Sequence, residues 1–181
     1  MVNAIARLSN IVNSHLENDA MVNKRALIAF VAAVAVSASL AVTPPALAAG
    51  PQVNATITGL ALRGYDPVAF FTDGKPVLGD FTITAQYEGA TYRFASEDHK
   101  ALFVKDPTKY LPQFGGFCAF GTAQGYKVDG DPNVWKIVDN KLYLNLAPPV
   151  AARWNQDIAG NIATANEKWV DLKDKAPSEL Q

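Results

Sequence analysis

The stretch from Phe81 to Tyr110 leaves little choice of local structure. Phe81, Ile83, Ala85 and Tyr87 alternate with Thr82, Thr84 and Gln86, and after Glu88-Gly89 the alternation resumes as Ala90, Tyr92 and Phe94 against Thr91 and Arg93. A period of two on both sides of a two-residue connection reads as a β-hairpin. Ser96 then supplies a helix N-cap, with Glu97 and Asp98 in the first turn, where the helix dipole favours acidic side chains. The helix is expected to run to about Lys105. Asp106-Pro107 stops it, and Asp106 can cap a second short helix with Pro107 in its first position. Leu111-Pro112 ends that one.

The remaining sequence adds similar pieces. Pro67 restricts Asp66 to extended geometry, and the apolar run Val68-Ala69-Phe70-Phe71 reads as a short strand before the turn residues Thr72-Asp73-Gly74-Lys75-Pro76. Gln113 to Gly121 mixes Gly115, Gly116 and Gly121 with Phe114, Phe117 and Phe120, as in a tightly packed bend. Trp135 to Val138 and Lys141 to Asn145, joined by Asp139-Asn140, form a second hairpin. From Pro149 the period becomes helical: Val150, Ala151, Trp154 and Ile158, then Ile162, Ala165, Trp169 and Leu172. No internal repeat stands out. The expected fold is α+β, a small antiparallel sheet of two hairpins with helices packed on it.

The N-terminal quarter reads as an address. Met21-Val22-Asn23-Lys24-Arg25 is basic, the run over 26–42 is largely apolar, and Ala46-Leu47-Ala48 offers small residues for cleavage, the pattern of a secretory signal peptide. A membrane span needs about 20 apolar residues; this run is shorter and ends at Pro44-Pro45. Residues 1–20 carry no such pattern and read as upstream of the true start at Met21. The expected organisation is signal peptide 21–48, flexible lead-in 49–61, one domain 62–172 and a frayed end 173–181, in a protein exported to the periplasm with no membrane attachment after cleavage. Net charge is −1, and no clustered basic footprint points to nucleic acid.

Three residues could carry chemistry. Cys118 is the single cysteine, which excludes an intramolecular disulfide and leaves a metal ligand, a reactive thiol, a bridge between two copies, or a small buried hydrophobe. His99 is the only histidine after the signal and shares a helix face with Leu102 and Phe103, so that face points to the core. Inward histidines are commonly hydrogen-bonded core residues, and a ligand is the alternative. Asp66 is a turn residue before Pro67 or a third ligand. Asp98 points about 100° away from His99 and is a poor partner. There is no nucleophile elbow, phosphate-cradling glycine loop or haem-attachment motif.

The run Tyr92-Arg93-Phe94-Ala95-Ser96-Glu97-Asp98-His99-Lys100-Ala101-Leu102-Phe103, followed by Asp106-Pro107-Thr108-Lys109-Tyr110, resembles the signature of the YHS domain, a small relative of treble-clef metal-binding modules. Gly64-Tyr65-Asp66-Pro67-Val68-Ala69-Phe70-Phe71, Pro112-Gln113-Phe114-Gly115-Gly116-Phe117-Cys118-Ala119 and Lys141-Leu142-Tyr143-Leu144-Asn145 extend the likeness to exported bacterial members, over about 62–172. The resemblance implies a treble-clef-like core. Many relatives carry cysteine where this chain has Ala69, Ala95 and His99, and Asp66 lies in the loop of the family's first cysteine. It implies a metal-handling or sensing role, with copper or zinc held by Cys118, His99 and Asp66; two or three ligands of mixed softness suit copper better than four-coordinate structural zinc. The alternatives are a module that binds a small ligand or a protein on an aromatic surface, and an enzyme with a Cys118–His99 dyad. A shared metal or the single cysteine would also allow a dimer.

The processing reading has a direct check. N-terminal sequencing of the exported protein should start at or near Ala49, and an intact Met1 chain recovered from the cytoplasm would defeat it.

Overall fold

The computed structural model describes residues 52–180; the expected signal peptide 21–48 and the segment 1–20 lie outside the described residues. The chain forms α1 (Ala69–Thr72), β1 (Asp80–Tyr87), β2 (Ala90–Phe94), α2 (Glu97–Lys105), α3 (Pro107–Tyr110), α4 (Ala119–Gln124), β3 (Asp131–Val138), β4 (Lys141–Asn145), α5 (Pro148–Trp154) and α6 (Ile158–Leu172), with 3₁₀ turns at Leu62–Gly64, Gln113–Gly116 and Pro177–Leu180. This is an α+β fold. Its two hairpins form two separate two-stranded antiparallel sheets, where one sheet was expected. Both connections, Glu88-Gly89 and Asp139-Asn140, have positive φ at both residues, the turn geometry whose twist matches flanking strands. Among the described residues no helix is long and apolar enough to cross a membrane.

The described chain follows the same path twice. Leu62, Arg63 and Gly64 have φ of 50°, 53° and 84°, and Phe114, Gly115 and Gly116 have 55°, 61° and 85°. Each left-handed turn leads into a short helix, α1 or α4, and then into an eight-residue strand with the same register shift near its start. At that shift Asp80 Oδ1 accepts from Thr82 N at 2.7 Å, and Asp131 Oδ1 accepts from Asn133 N at 2.8 Å. Asp66 N donates to Val77 O at 2.8 Å, and Cys118 N donates to Val128 O at 2.9 Å. The Tyr92 and Phe103 rings lie 5.0 Å apart at 36°, and those of Tyr143 and Trp154 lie 5.6 Å apart at 38°. Asp106 caps α3 and Asp157 caps α6 from nearly identical backbone conformations. The sequence reading missed this duplication because few side chains are kept. Those that are kept sit where the backbone demands them: Gly64 and Gly116, Gly79-Asp80 and Gly130-Asp131, Ala69-Phe70 with Thr72 and Ala119-Phe120 with Thr122. Gly79 and Gly130 are required by close approach, since a Cβ at either would run into the partner strand at Arg93 or Leu144.

The two halves share a wall. Along β4 successive side chains point to opposite faces. Leu142 and Leu144 enter the first core beside Val68, Phe70, Tyr92, Phe94 and Phe103, while Tyr143 enters the second with Phe114, Ala119, Trp154 and Ala165. The halves differ at their ends. α3 is one turn long and feeds the second repeat, whereas α6 continues for 15 residues and packs along α4.

Three local expectations need correcting. The apolar run after Pro67 is helical over Ala69–Thr72, not a strand; a short buried run does not distinguish the two by periodicity. Residues 119–121, read as the end of a bend, begin the helix α4. Leu102 is 39% exposed while Phe103 is 1% exposed, so α2 turns Phe103, not Leu102, into the core. Both ends of the domain are also tied down. Asn54 N donates to Gly115 O at 2.8 Å. Beyond α6, Lys127 Nζ donates to the carbonyls of Lys173 and Lys175 at 3.0 and 2.8 Å, beneath the rings of Phe117 and Trp169. Burial holds that ammonium below the ordinary lysine range, with Asp174 and Glu179 pulling the other way.

Phe103 is central to the first core, and emptying such a site typically costs about 3–5 kcal/mol. Phe103→Ala should lower stability by that amount in chemical denaturation. A loss below about 1 kcal/mol would mean that the helix face is wrongly assigned.

Candidate functional site

The first repeat closes on Asp66. Its side chain is fully buried and accepts three hydrogen bonds: Val68 N to Oδ1 at 2.8 Å, Ala95 N to Oδ2 at 2.8 Å and His99 Nδ1 to Oδ2 at 2.6 Å. The Val68 bond is the turn role expected from Asp66-Pro67, since an aspartate side chain bonds the backbone two residues on. The other two bonds tie that turn to the end of β2 and the first turn of α2. His99 is placed by the cap before it, because Ser96 Oγ accepts His99 N at 3.2 Å and thereby sets the start of α2. Both Asp66 oxygens already face backbone N–H groups, so Nδ1 is the donor to Asp66, and in the neutral ring Nε2 carries the lone pair.

Nε2 faces outward from a side chain that is 16% exposed. Thr72 Oγ1 lies 3.3 Å from it and Asp73 Oδ1 lies 3.7 Å from it. Both come from the C-terminal end of α1, where Thr72 Oγ1 also meets Asp73 Oδ1 at 2.7 Å and Val68 O at 3.2 Å. Thr72 and Asp73 escaped the sequence reading, which placed this segment in a strand and a plain turn. The signal that could have found them is the Ala-Phe-x-Thr sequence repeated at Ala119 to Thr122.

Cys118 belongs to the other half. It is 1% exposed. Its Sγ accepts from Gly121 N at 3.3 Å, capping α4, and donates to Asn145 Oδ1 at 3.6 Å. The buried Asn145 also accepts from Phe120 N at 3.2 Å. Cys118 occupies in the second repeat the place that Asp66 occupies in the first, and its neighbours are those of its own repeat. Val150 stands at the position equivalent to His99. The structure therefore brings Asp66 and His99 together and sets Cys118 against Asn145. Asp66, His99 and Cys118 do not assemble as a ligand trio: among the described residues no group of three His, Cys, Asp or Glu side chains could hold a metal ion.

No family model, no curated protein and no solved structure matches this chain.

What the site offers chemically is an imidazole whose inner nitrogen is locked by a buried carboxylate and whose outer nitrogen is presented at the surface. Removing the carboxylate strands three donors, each costing about 1–3 kcal/mol if left unpaired. Asp66→Ala should destabilise the domain by at least about 3 kcal/mol in urea, and the nitrogen chemical shifts of His99 should lose the Nδ1–H signature. An unchanged midpoint would show that the clasp contributes nothing to folding.

Proposed function

We propose that this chain is an exported metal-handling domain of the YHS type, with copper as its cargo and His99 as its primary ligand. The observation that carries the reading is the Asp66–His99 pair. Metal-binding histidines commonly donate their second ring nitrogen to a carboxylate, which fixes the tautomer and strengthens the free nitrogen as a donor. Imidazole is a good ligand for copper and for zinc. A four-ligand structural zinc does not fit the residues present, because the cysteines that would complete it are absent and Cys118 serves as a helix cap. A cargo ion bound at a partly open surface position needs fewer protein ligands.

Other features weigh against the alternatives. Phe114 and Phe117 are buried in packing, which leaves them little part in an open aromatic pocket. A thiol–imidazole enzyme needs the two groups within hydrogen-bond reach, whereas the partners of Cys118 are Asn145 and a backbone N–H. Export rests on the signal-like pattern over 21–48 and agrees with a role in holding metal outside the cytoplasm.

Copper titration of the mature protein tests the reading, with Cu(I) and Cu(II) each measured against a competing chelator. One copper per chain should bind, and His99→Ala should weaken it at least about tenfold, at the lower end of what perturbing a metal-site histidine costs. Equal, weak binding of both ions by wild type and His99→Ala would reject the metal reading.

A further inference from the structure

Polar atoms of three residues converge at the outer nitrogen of His99. With Nδ1–H committed to Asp66, Nε2 of the neutral ring carries a lone pair. The one hydrogen nearby belongs to the Thr72 hydroxyl, and three acceptors compete for it: Asp73 Oδ1 at 2.7 Å, Val68 O at 3.2 Å and Nε2 at 3.3 Å. The shortest of these is the carboxylate. Once Thr72 donates there, its oxygen lone pairs, Asp73 Oδ1 and, in the neutral ring, Nε2 face one another.

In that form the cluster presents three donor atoms to a cation, and its dimensions suit one. The three separations are 2.7 Å for Oγ1–Oδ1, 3.3 Å for Oγ1–Nε2 and 3.7 Å for Nε2–Oδ1. A triangle with these sides has its corners about 1.9 Å from a common centre, against bonds of about 2.0–2.2 Å from zinc-sized divalent ions to nitrogen and oxygen. An ion slightly above the triangle's plane lies within bonding distance of all three atoms. Thr72 is exposed and the Asp73 side chain is 34% exposed, so the outer coordination positions open to water.

We infer that His99 Nε2, Thr72 Oγ1 and Asp73 Oδ1 form a binding site for a single divalent transition-metal ion. The inference rests on the metal-handling reading and narrows it to one oxidation state and one ligand set. One nitrogen and two oxygens, one of them a carboxylate, suit Cu(II) and then Zn(II), while the thiolate that would favour Cu(I) is missing. Asp66 is a positioning residue here: it touches the imidazole and not the ion. Cys118 takes no part.

The deciding experiment combines competition titration with Cu(II) and electron paramagnetic resonance of the loaded protein. It uses wild type, Asp73→Asn, Thr72→Val and Cys118→Ser, with circular dichroism of each to confirm folding. Wild type should take up one Cu(II) whose spectrum shows a single protein nitrogen. Asp73→Asn should weaken binding about tenfold or more, Thr72→Val by a smaller factor, and both should keep the nitrogen signal; outer-shell changes alone are commonly worth about 10–100-fold in metal affinity. Cys118→Ser should bind as wild type does. Asp73→Asn binding Cu(II) as tightly as wild type would overturn the site, and if His99→Ala still lost copper, the broader metal reading would survive. Binding of Cu(I) alone, or its loss in Cys118→Ser, would likewise overturn this site. Failure of wild type to bind either ion would reject both readings.

Discussion

One fully buried carboxylate organises the first half of the domain. Asp66 joins a turn, a strand end and a helix start through three hydrogen bonds, and each joins parts of the chain that the core alone would not hold in register. A buried charge is expensive unless its oxygens are satisfied, and here both are. The nearby first turn of α2, with its own unpaired N–H groups, adds a favourable field. The same clasp makes the imidazole useful. It removes the tautomer choice, turns Nε2 outward and leaves the ring unable to swing away from Thr72 and Asp73.

The second half shows what the same backbone does without that carboxylate. At the equivalent position Cys118 caps α4 with sulfur and meets Asn145, and Val150 replaces the histidine. The polar work there is done by neutral groups, closed off at 1% exposure for Cys118 and 2% for Asn145. The two halves thus divide labour. The second is a sealed structural copy, extended by α6 and pinned by Lys127. The first keeps a buried carboxylate whose imidazole partner reaches the surface. β4 serves both by sending alternate side chains into the two cores, so the first half has no complete core of its own.

Much of this was legible in the sequence, for reasons tied to particular residues. The alternation around Glu88-Gly89 and Asp139-Asn140 specifies hairpins because a two-residue link demands positive φ and a period of two demands pleated strands. Ser96 and Asp106 announce helix starts because their side chains satisfy backbone donors that nothing else can reach. Non-local pairing was not legible. Asp66 read as a turn residue, and the local bond to Val68 is indeed there, but its bonds to Ala95 and His99 span 29 and 33 residues of chain. Cys118 and His99 were drawn together by chemical affinity alone, when each was already committed inside its own repeat. The duplication was hidden for a related reason: backbone conformation is preserved by a few glycines and capping side chains, and the rest of each core has been repacked.

The division between the halves bears on where new chemistry can arise in such a fold. In each copy a short helix, α1 or α4, ends beside the start of the helix that follows the hairpin, so each copy has the same junction. In the second copy that junction lies between α4 and α5, where Val150 takes the place of His99. In the first copy α1 ends after four residues, and the chain leaves through Asp73 and Gly74 into solvent. That early exit puts Thr72 and Asp73 at the rim and not in a core. An imidazole held from behind by a buried carboxylate and met from the front by a threonine and an aspartate follows from the short helix as much as from His99 itself.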